Sequence, residues 1–272
     1  MKIPKSESIE ISALKDLHDA ADPSDVQRLG LTGRYVGSAY VSVASELPAS
    51  AIVINRAIGL GFGASAKLDQ IRGIVSLYRQ AGVRRYFIQV RPEASSSGLT
   101  QWLEKEGLEK GRGWQKFSRH AQQVTKVPTK LDVRFIDRRY GTQFAEIVCN
   151  AFDIGNAAIP WLAKLPERKG WHICMSFEGD YPVGVGALFV QDGVGWTDFG
   201  ATSPAFRRRG SQGAVMAHRL ELANQLGCQK VFTCTGVNVP GDPQHSYSNI
   251  LKAGFTESCV RENYEPASSF LS

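Results

Sequence analysis

The stretch 203–226, SPAFRRRGSQGAVMAHRLELANQL, constrains the fold more than any other part of the chain. An extended run at 193–201, GVGWTDFGA, leads into it, and Pro204 ends that run, because a proline ring fixes φ and removes an N–H. Arg207, Arg208, Arg209, Gly210, Ser211, Gln212 and Gly213 follow. Val215, Met216, Leu220, Leu222, Ala223 and Leu226 then supply the apolar positions of a helix. A strand, a basic glycine-containing turn and a helix, in that order, suit an anion. The first N–H groups of a helix have no intrahelical partner, and the helix dipole presents its positive end there. The plain alternative is three arginines on a solvated turn, and the strand in front weakens it. The expected ligand carries phosphate.

The chain has 272 residues, enough for one large domain or two small ones, and 43% of them are hydrophobic, which fits a globular chain with a sizeable core. No apolar run reaches the roughly 18 residues of a membrane span. The start, MKIPKSESIE, is polar and holds no apolar signal core, so a cytoplasmic location is expected. Cys149, Cys174, Cys228, Cys234 and Cys259 are scattered, with no CxxC pair. That points to reduced thiols, and no cluster has the ligand spacing of a metal site. The net charge of +6 is spread along the chain, and only Arg207–Arg209 form a tight run. An anionic cofactor explains that run at least as well as a polynucleotide does, so nucleic acid is not the expected partner.

Taken in order, periodicity and turn residues predict a helix over 9–20, continued by 25–29, and strands over 35–44 and 51–62. They then predict a helix over 67–80, a strand over 85–90, a helix over 99–106 and a strand over 114–119. The polar segment 122–130, with Pro128 inside it, reads as a linker. Beyond it come a strand (131–136), helices (140–152 and 157–165), a hairpin pair (171–177 and 183–190), the strand 193–201, the long helix, a strand (230–235), a helix (247–252) and a last strand (257–264). The halves share a pattern. A helix, AGVRRYFIQV and LEKEGLEK in the first correspond to a helix, LGCQKVFTCT and LKAGFTES in the second, offset by about 145 residues, as in a duplicated unit. Where the second half has PAFRRRGSQG, the first has GFGASAKL, which keeps glycines but has no arginine run. The expected domains are 1–121, a degenerate copy, and 131–272, the ligand-binding copy, joined by 122–130.

The second half resembles the GNAT (N-acetyltransferase) superfamily. That family's signature is Gln or Arg, two residues, Gly, one residue, then Gly or Ala, at a strand-to-helix turn. Here Arg207-Arg208-Arg209-Gly210-Ser211-Gln212 stands at such a turn, with Gln212 in the last place and Gly213 after it. GATSP before the turn and KAGF after it also fit. The resemblance covers residues 131–265 and reaches 35–119 through the repeat. It is to bacterial tandem-GNAT proteins in which one half is degenerate. It implies an α/β (α+β) fold of two tandem domains, each a mixed, mostly antiparallel sheet flanked by helices. It also implies acetyl-CoA as co-substrate, no metal, and transfer to the amine of a small molecule by direct attack. A homodimer is compatible with it. The alternatives are a non-catalytic module binding CoA or another nucleotide, and a peptide or protein N-acetyltransferase.

The resemblance assigns roles by position. Phe199, Gly200, Ala201 and Thr202 would pair through their main chain with the pantetheine arm. N–H groups from Arg208 to Gly213 would hold the pyrophosphate, with Arg207 and Arg209 beside it. Asn238 and Asn249 are further cofactor candidates. Asp198 is the expected base, acting through water. Family members often carry a tyrosine acid four residues before the Gly of the GF step, where this chain has Ile250. Tyr247, one turn earlier, is the substitute. Phe152, Asp153 and Trp161 are expected to line the acceptor pocket, with Asp153 facing a cationic amine. Their ordinary roles would be core packing and helix capping.

Overall fold

The computed structural model describes residues 2–95, 98–122, 127–242 and 244–267. The chain divides into two compact units, Met1–Lys116 with Cys259–Ser272, and Phe117–Ser258.

The first unit contains α1 (Lys5–Asp19), α2 (Pro23–Leu29), β1 (Leu31–Val36), β2 (Ala39–Ala44), β3 (Arg56–Ile58), α3 (Leu68–Gln80), β4 (Phe87–Val90), α4 (Leu99–Lys105) and β5 (Leu108–Lys110). Strand β6 (Trp114–His120) starts here, and the C-terminal strand β12 (Thr256–Pro266) ends here. Residues 25–29 do not continue α1. Asp22 opens a separate helix by accepting from Ser24 N and Asp25 N, and Pro23 takes its first position, where its missing N–H costs nothing. Residues 35–44 fold as part of a hairpin, β1 to β2, that turns at Gly37 (φ 60°). Of the strand expected over 51–62, only Arg56–Ile58 is extended. β1, β2 and β3 are antiparallel neighbours, and β4 runs parallel to β3. β12 completes the sheet by pairing Glu262–Tyr264 with β4 and Tyr264–Pro266 with β5. Ile71, Ile74 and Tyr78 of α3 pack on Val41, Ala57, Ile88 and Tyr264 to form the core.

The contiguous division at 122–130 therefore needs correction at the C-terminus, since residues from Cys259 onward belong with the first unit. The reason is chemical. Arg261 is fully buried and donates to Glu7 and Glu10 of α1, at 3.1 Å and 2.8 Å from Nη1. Asn263 accepts from Gln89 at 2.8 Å. Of the expected linker, residues 123–126 lie outside the described residues.

The second unit contains β7 (Asp132–Phe135), α5 (Gly141–Phe152), α6 (Ile159–Leu162), β8 (Trp171–Glu178), β9 (Tyr181–Gln191), β10 (Val194–Thr202), α7 (Ser211–Gln225), β11 (Lys230–Gly236) and α8 (His245–Lys252). The helix expected over 157–165 is broken into α6 and two 3-10 turns, Asn156–Ala158 and Leu165–Glu167. Pro160 opens α6 and Pro166 sits in the second turn, and neither can continue a preceding helix. The sheet order is β7-β8-β9-β10-β11. All neighbours are antiparallel except β10 and β11. α7 and α8 cover it with Leu220, Ala223 and Ile250 against Leu188, Val231 and Phe117.

Candidate functional site

β10 and β11 pair in parallel at Val194–Lys230, Gly195–Val231 and Trp196–Phe232. Beyond that point β10 continues to Thr202 and β11 to Gly236 without further pairs. Just beyond the last pair Thr233 Oγ1 donates to Thr197 O at 3.0 Å. On its other edge β10 pairs Asp198 with Ala187 and then Ala201 with Val185, which leaves Phe199 and Gly200 out of register. Phe199 takes φ 48° there. A bulky residue in the left-handed region costs on the order of 1 kcal/mol or more and persists where its surroundings enforce it. The Phe199 ring is buried and centred 6.1 Å from Phe152, 6.3 Å from Phe144 and 6.3 Å from Trp171. A strained bulge thus sits where two parallel strands open.

After β10 the chain makes a 3-10 turn, Pro204–Phe206, passes Arg208 at φ 65° and Gly210 at φ 84°, and enters α7 at Ser211. Ala214 N, bonded to Gly210 O at 3.0 Å, is the first satisfied donor. None of the six main-chain N–H groups from Arg208 to Gly213 has a partner among the described residues. The turn is held by its side chains instead. Ser211 Oγ lies 2.7 Å from Ser176 Oγ and accepts from Thr202 Oγ1 at 3.2 Å. Thr129 Oγ1 donates to Arg209 O at 3.0 Å. Arg209 pairs with Glu178 and stands 5.2 Å over the Phe206 ring. With both partners half exposed, that pair contributes little stability. Arg207 and Arg208 are exposed, and their side chains have no partner among the described residues.

Asp198, Asn249 and Phe152 touch the opening or the turn, while Asp153 and Tyr247 are placed by contacts of their own. Asp198 lies at the opening, its carboxylate accepting from Trp196 Nε1 at 2.9 Å and Phe199 N at 2.8 Å. Asn249 of α8 donates to Gln212 Oε1 and so ties α8 to the start of α7. Phe152 packs edge-on against Phe199. Asp153 is the left-handed C-cap of α5 (φ 50°). Tyr247 packs edge-on against Phe117 at 5.0 Å and donates to Glu257. Burial, then that carboxylate, push its phenol up to about 12. Two residues are placed otherwise. Trp161 has no exposed surface, so it backs the wall of a pocket at most, and Asn238 is exposed after β11. Ile250 is buried in the core beneath α8. Among the described residues, no group of His, Cys, Asp and Glu is placed to hold a metal ion, and no helix is long and apolar enough to cross a membrane.

Sequence reasoning missed Arg219. Its guanidinium is fully buried on α7 and donates to Ala187 O at 2.9 Å, Asp198 O at 3.0 Å and Val215 O at 3.3 Å. Burial pulls its pKa down to about 10. Gly186 makes room for it, since a Cβ there would stand 2.6 Å from Cζ. The available signal was the pairing of GVG in β9 with an arginine four residues after Val215, on the helix's inward face.

No family model matches the chain, and no curated protein matches it. Solved structures do. A GCN5-related N-acetyltransferase from Kribbella flavida is 14% identical, with a TM-score of 0.66 over 98% of this chain and 97% of its own. Another from Sphaerobacter thermophilus is 14% identical, with a TM-score of 0.56 over 97% and 94%. A putative acetyltransferase from the GNAT family of Novosphingobium aromaticivorans is 10% identical, with a TM-score of 0.53 over 90% and 98%. At these identities the likeness is one of fold. With the parted parallel strands, the bulge and the helix-opening turn in hand, that fold is the one shared by the GCN5-related N-acetyltransferases.

Proposed function

We propose that the unit Phe117–Ser258 binds acetyl-CoA and transfers its acetyl group to an amine of a small molecule by direct attack. The observation that carries this reading is the run of six unpartnered N–H groups from Arg208 to Gly213 at the start of α7. A diphosphate satisfies such a run at the positive end of a helix, and Arg207 and Arg208 are free to pair with it. The pantetheine arm would lie along Phe199–Thr202, where β10 has left β11, and pair as an added strand does. The thioester then reaches the bulge. The amine nitrogen attacks the carbonyl carbon, a C–N bond forms, and the C–S bond breaks. The amine proton passes through water to Asp198. CoA leaves as a thiolate and takes a proton, for which Tyr247, protonated at neutral pH, is the candidate donor. Phe152 and Asp153 would face the apolar and cationic parts of the acceptor. The first unit would be a second copy that kept the fold and lost the arginines, and the protein would act in the cytoplasm.

A second reading, a non-catalytic CoA-binding module, draws on Ile250. It is buried where the family tyrosine would stand, and Gln212, in the place of a small residue, is bonded to Asn249.

Calorimetric titration with CoA tests the cofactor. Arg207→Ala should weaken binding by about tenfold, as loss of a charge-assisted bond to phosphate does, and Arg207→Ala with Gly210→Asp should abolish it. Unchanged affinity in the double variant, checked for a normal melt, would sink the assignment. Binding without turnover of acetyl-CoA by any member of an amine panel would favour the second reading.

A further inference from the structure

Arg219 presents an energetic problem that its neighbours do not solve. A buried cation costs several kcal/mol after relaxation, and an apolar residue of similar volume at a helix–sheet contact is often more stable. A carboxylate partner would offset that cost. The hydrogen bonds of Arg219 go to three main-chain carbonyls and the Met216 sulfur, none of which carries a compensating charge, and the Asp198 carboxylate acts on it only through space. β9 even gives up a side chain at Gly186 to admit it. Its surroundings do not explain the charge as a device for stability.

Its position does. Ala187 and Asp198 are the last residues of β9 and β10 to pair before the bulge, and Nη1 binds both of their carbonyls, at 2.9 Å and 3.0 Å. Nη2 turns toward the out-of-register segment, since a Cβ at Gly200 would stand 3.6 Å from it. The guanidinium therefore pins the exact point at which β10 leaves regular geometry, directly behind Phe199 and Gly200.

We infer that Arg219 is a positioning residue for acyl transfer: it holds the Asp198–Gly200 bulge in place and sets a fixed positive charge behind the thioester carbonyl. The inference rests on the acetyl-CoA reading above. Negative charge builds on the carbonyl oxygen as the amine attacks. A buried, preorganised cation stabilises that charge at no cost in reorganisation. The bond to Asp198 O also polarises the Asp198–Phe199 peptide, whose N–H is held by the Asp198 carboxylate, so the guanidinium and that carboxylate fix the same peptide from both ends. The same field acts on the bound ground state, where it weakens the carbonyl double bond.

That last effect can be read without knowing the acceptor. Isotope-edited infrared spectra of carbonyl-labelled acetyl-CoA would be compared free and bound to wild type, Arg219→Gln and Arg219→Lys, with CoA affinity measured in parallel. Wild type should lower the carbonyl frequency. Arg219→Gln should lose more than half of that downshift while its CoA dissociation constant stays within about threefold, since the phosphate turn is untouched. Arg219→Lys should keep most of it. An undiminished downshift in Arg219→Gln overturns the inference, and so does its loss in both variants, which would reduce Arg219 to packing. If Arg219→Gln does not melt cooperatively, Gly186→Ala is read in its place. It crowds the guanidinium off the bulge, and an unchanged downshift there overturns the inference equally. Failure of wild type to bind acetyl-CoA would instead bring down the functional reading itself.

Discussion

His18, on α1, lies with its Nε2 2.7 Å from the Ser42 hydroxyl, and burial, opposed by Asp19, pulls the imidazole down to about 4. A base whose folded pKa lies below its unfolded value of about 6.5 lends stability that is complete above that value. The stability drains away as pH falls toward 4, because only the unfolded chain takes up the proton. Glu10 adds a second acid-sensitive contribution. Burial alone would raise its carboxyl, but Arg261, Lys116 and Arg56 outweigh burial and hold it well below the usual carboxylate range. Its contribution is present above the unfolded pKa and is lost as pH falls further. Urea titrations between pH 7 and pH 4 should therefore show stability dropping by about 3 kcal/mol through His18, and His18→Gln should flatten that limb. A flat wild-type profile would refute the assignment. At the turn, the Ser211 hydroxyl is spent on Ser176 and Thr202. Ser211→Ala should thus cost about 1 kcal/mol of stability, while CoA affinity, which the proposed function draws from main-chain N–H groups, should stay put.

At the scale of elements, the seat of α7 on β9 decides whether the site exists. Gly184 and Gly186 face the helix, and Cβ atoms there would stand 2.1 Å from Ser211 Oγ and 2.6 Å from Arg219 Cζ. Gly186→Ala should lower the urea midpoint with an unchanged slope, at a cost of about 1–3 kcal/mol for overpacking. α7 itself was legible from sequence, because its breaker, its turn residues and its apolar positions are all local signals. The bulge was not, since nothing in WTDFG marks Phe199 for φ 48°. That geometry follows from ring packing against Phe144, Phe152 and Trp171, which come from other elements. The failure at 51–62 has a similar cause. Ala51 and Ile54 are buried in turns, and an apolar run reads as a strand whether it is extended or merely covered.

At the scale of the molecule, the C-terminal strand belongs with the first unit, and Arg261 ties it there. Removing that guanidinium would leave Glu7 and Glu10 short of a buried cation. Arg261→Met should cost the first unit about 3–5 kcal/mol, seen as faster amide exchange in β2 and α3. A chain ending at Ser258 should lose protection in the same elements while β8 and β9 keep theirs. Protection that survives the truncation would refute the dependence.

The helices α3 and α7, the strands around α7 in the second unit and the glycine turn with its arginines were legible in the sequence alone. Each rests on interactions within a few residues or on one face of one element. Which strand completes which sheet, why Asp198 and Gly200 stand where β10 leaves β11, and why an arginine is buried behind them were decided only by the tertiary structure. Those outcomes depend on partners more than a hundred residues apart, such as Arg261 with Glu10, or on different elements, such as Arg219 with Asp198. The run 207–213 reads as an anion-binding turn in the proposed function. Only the tertiary structure shows the strands parting beside it, where the rest of the proposed ligand would lie.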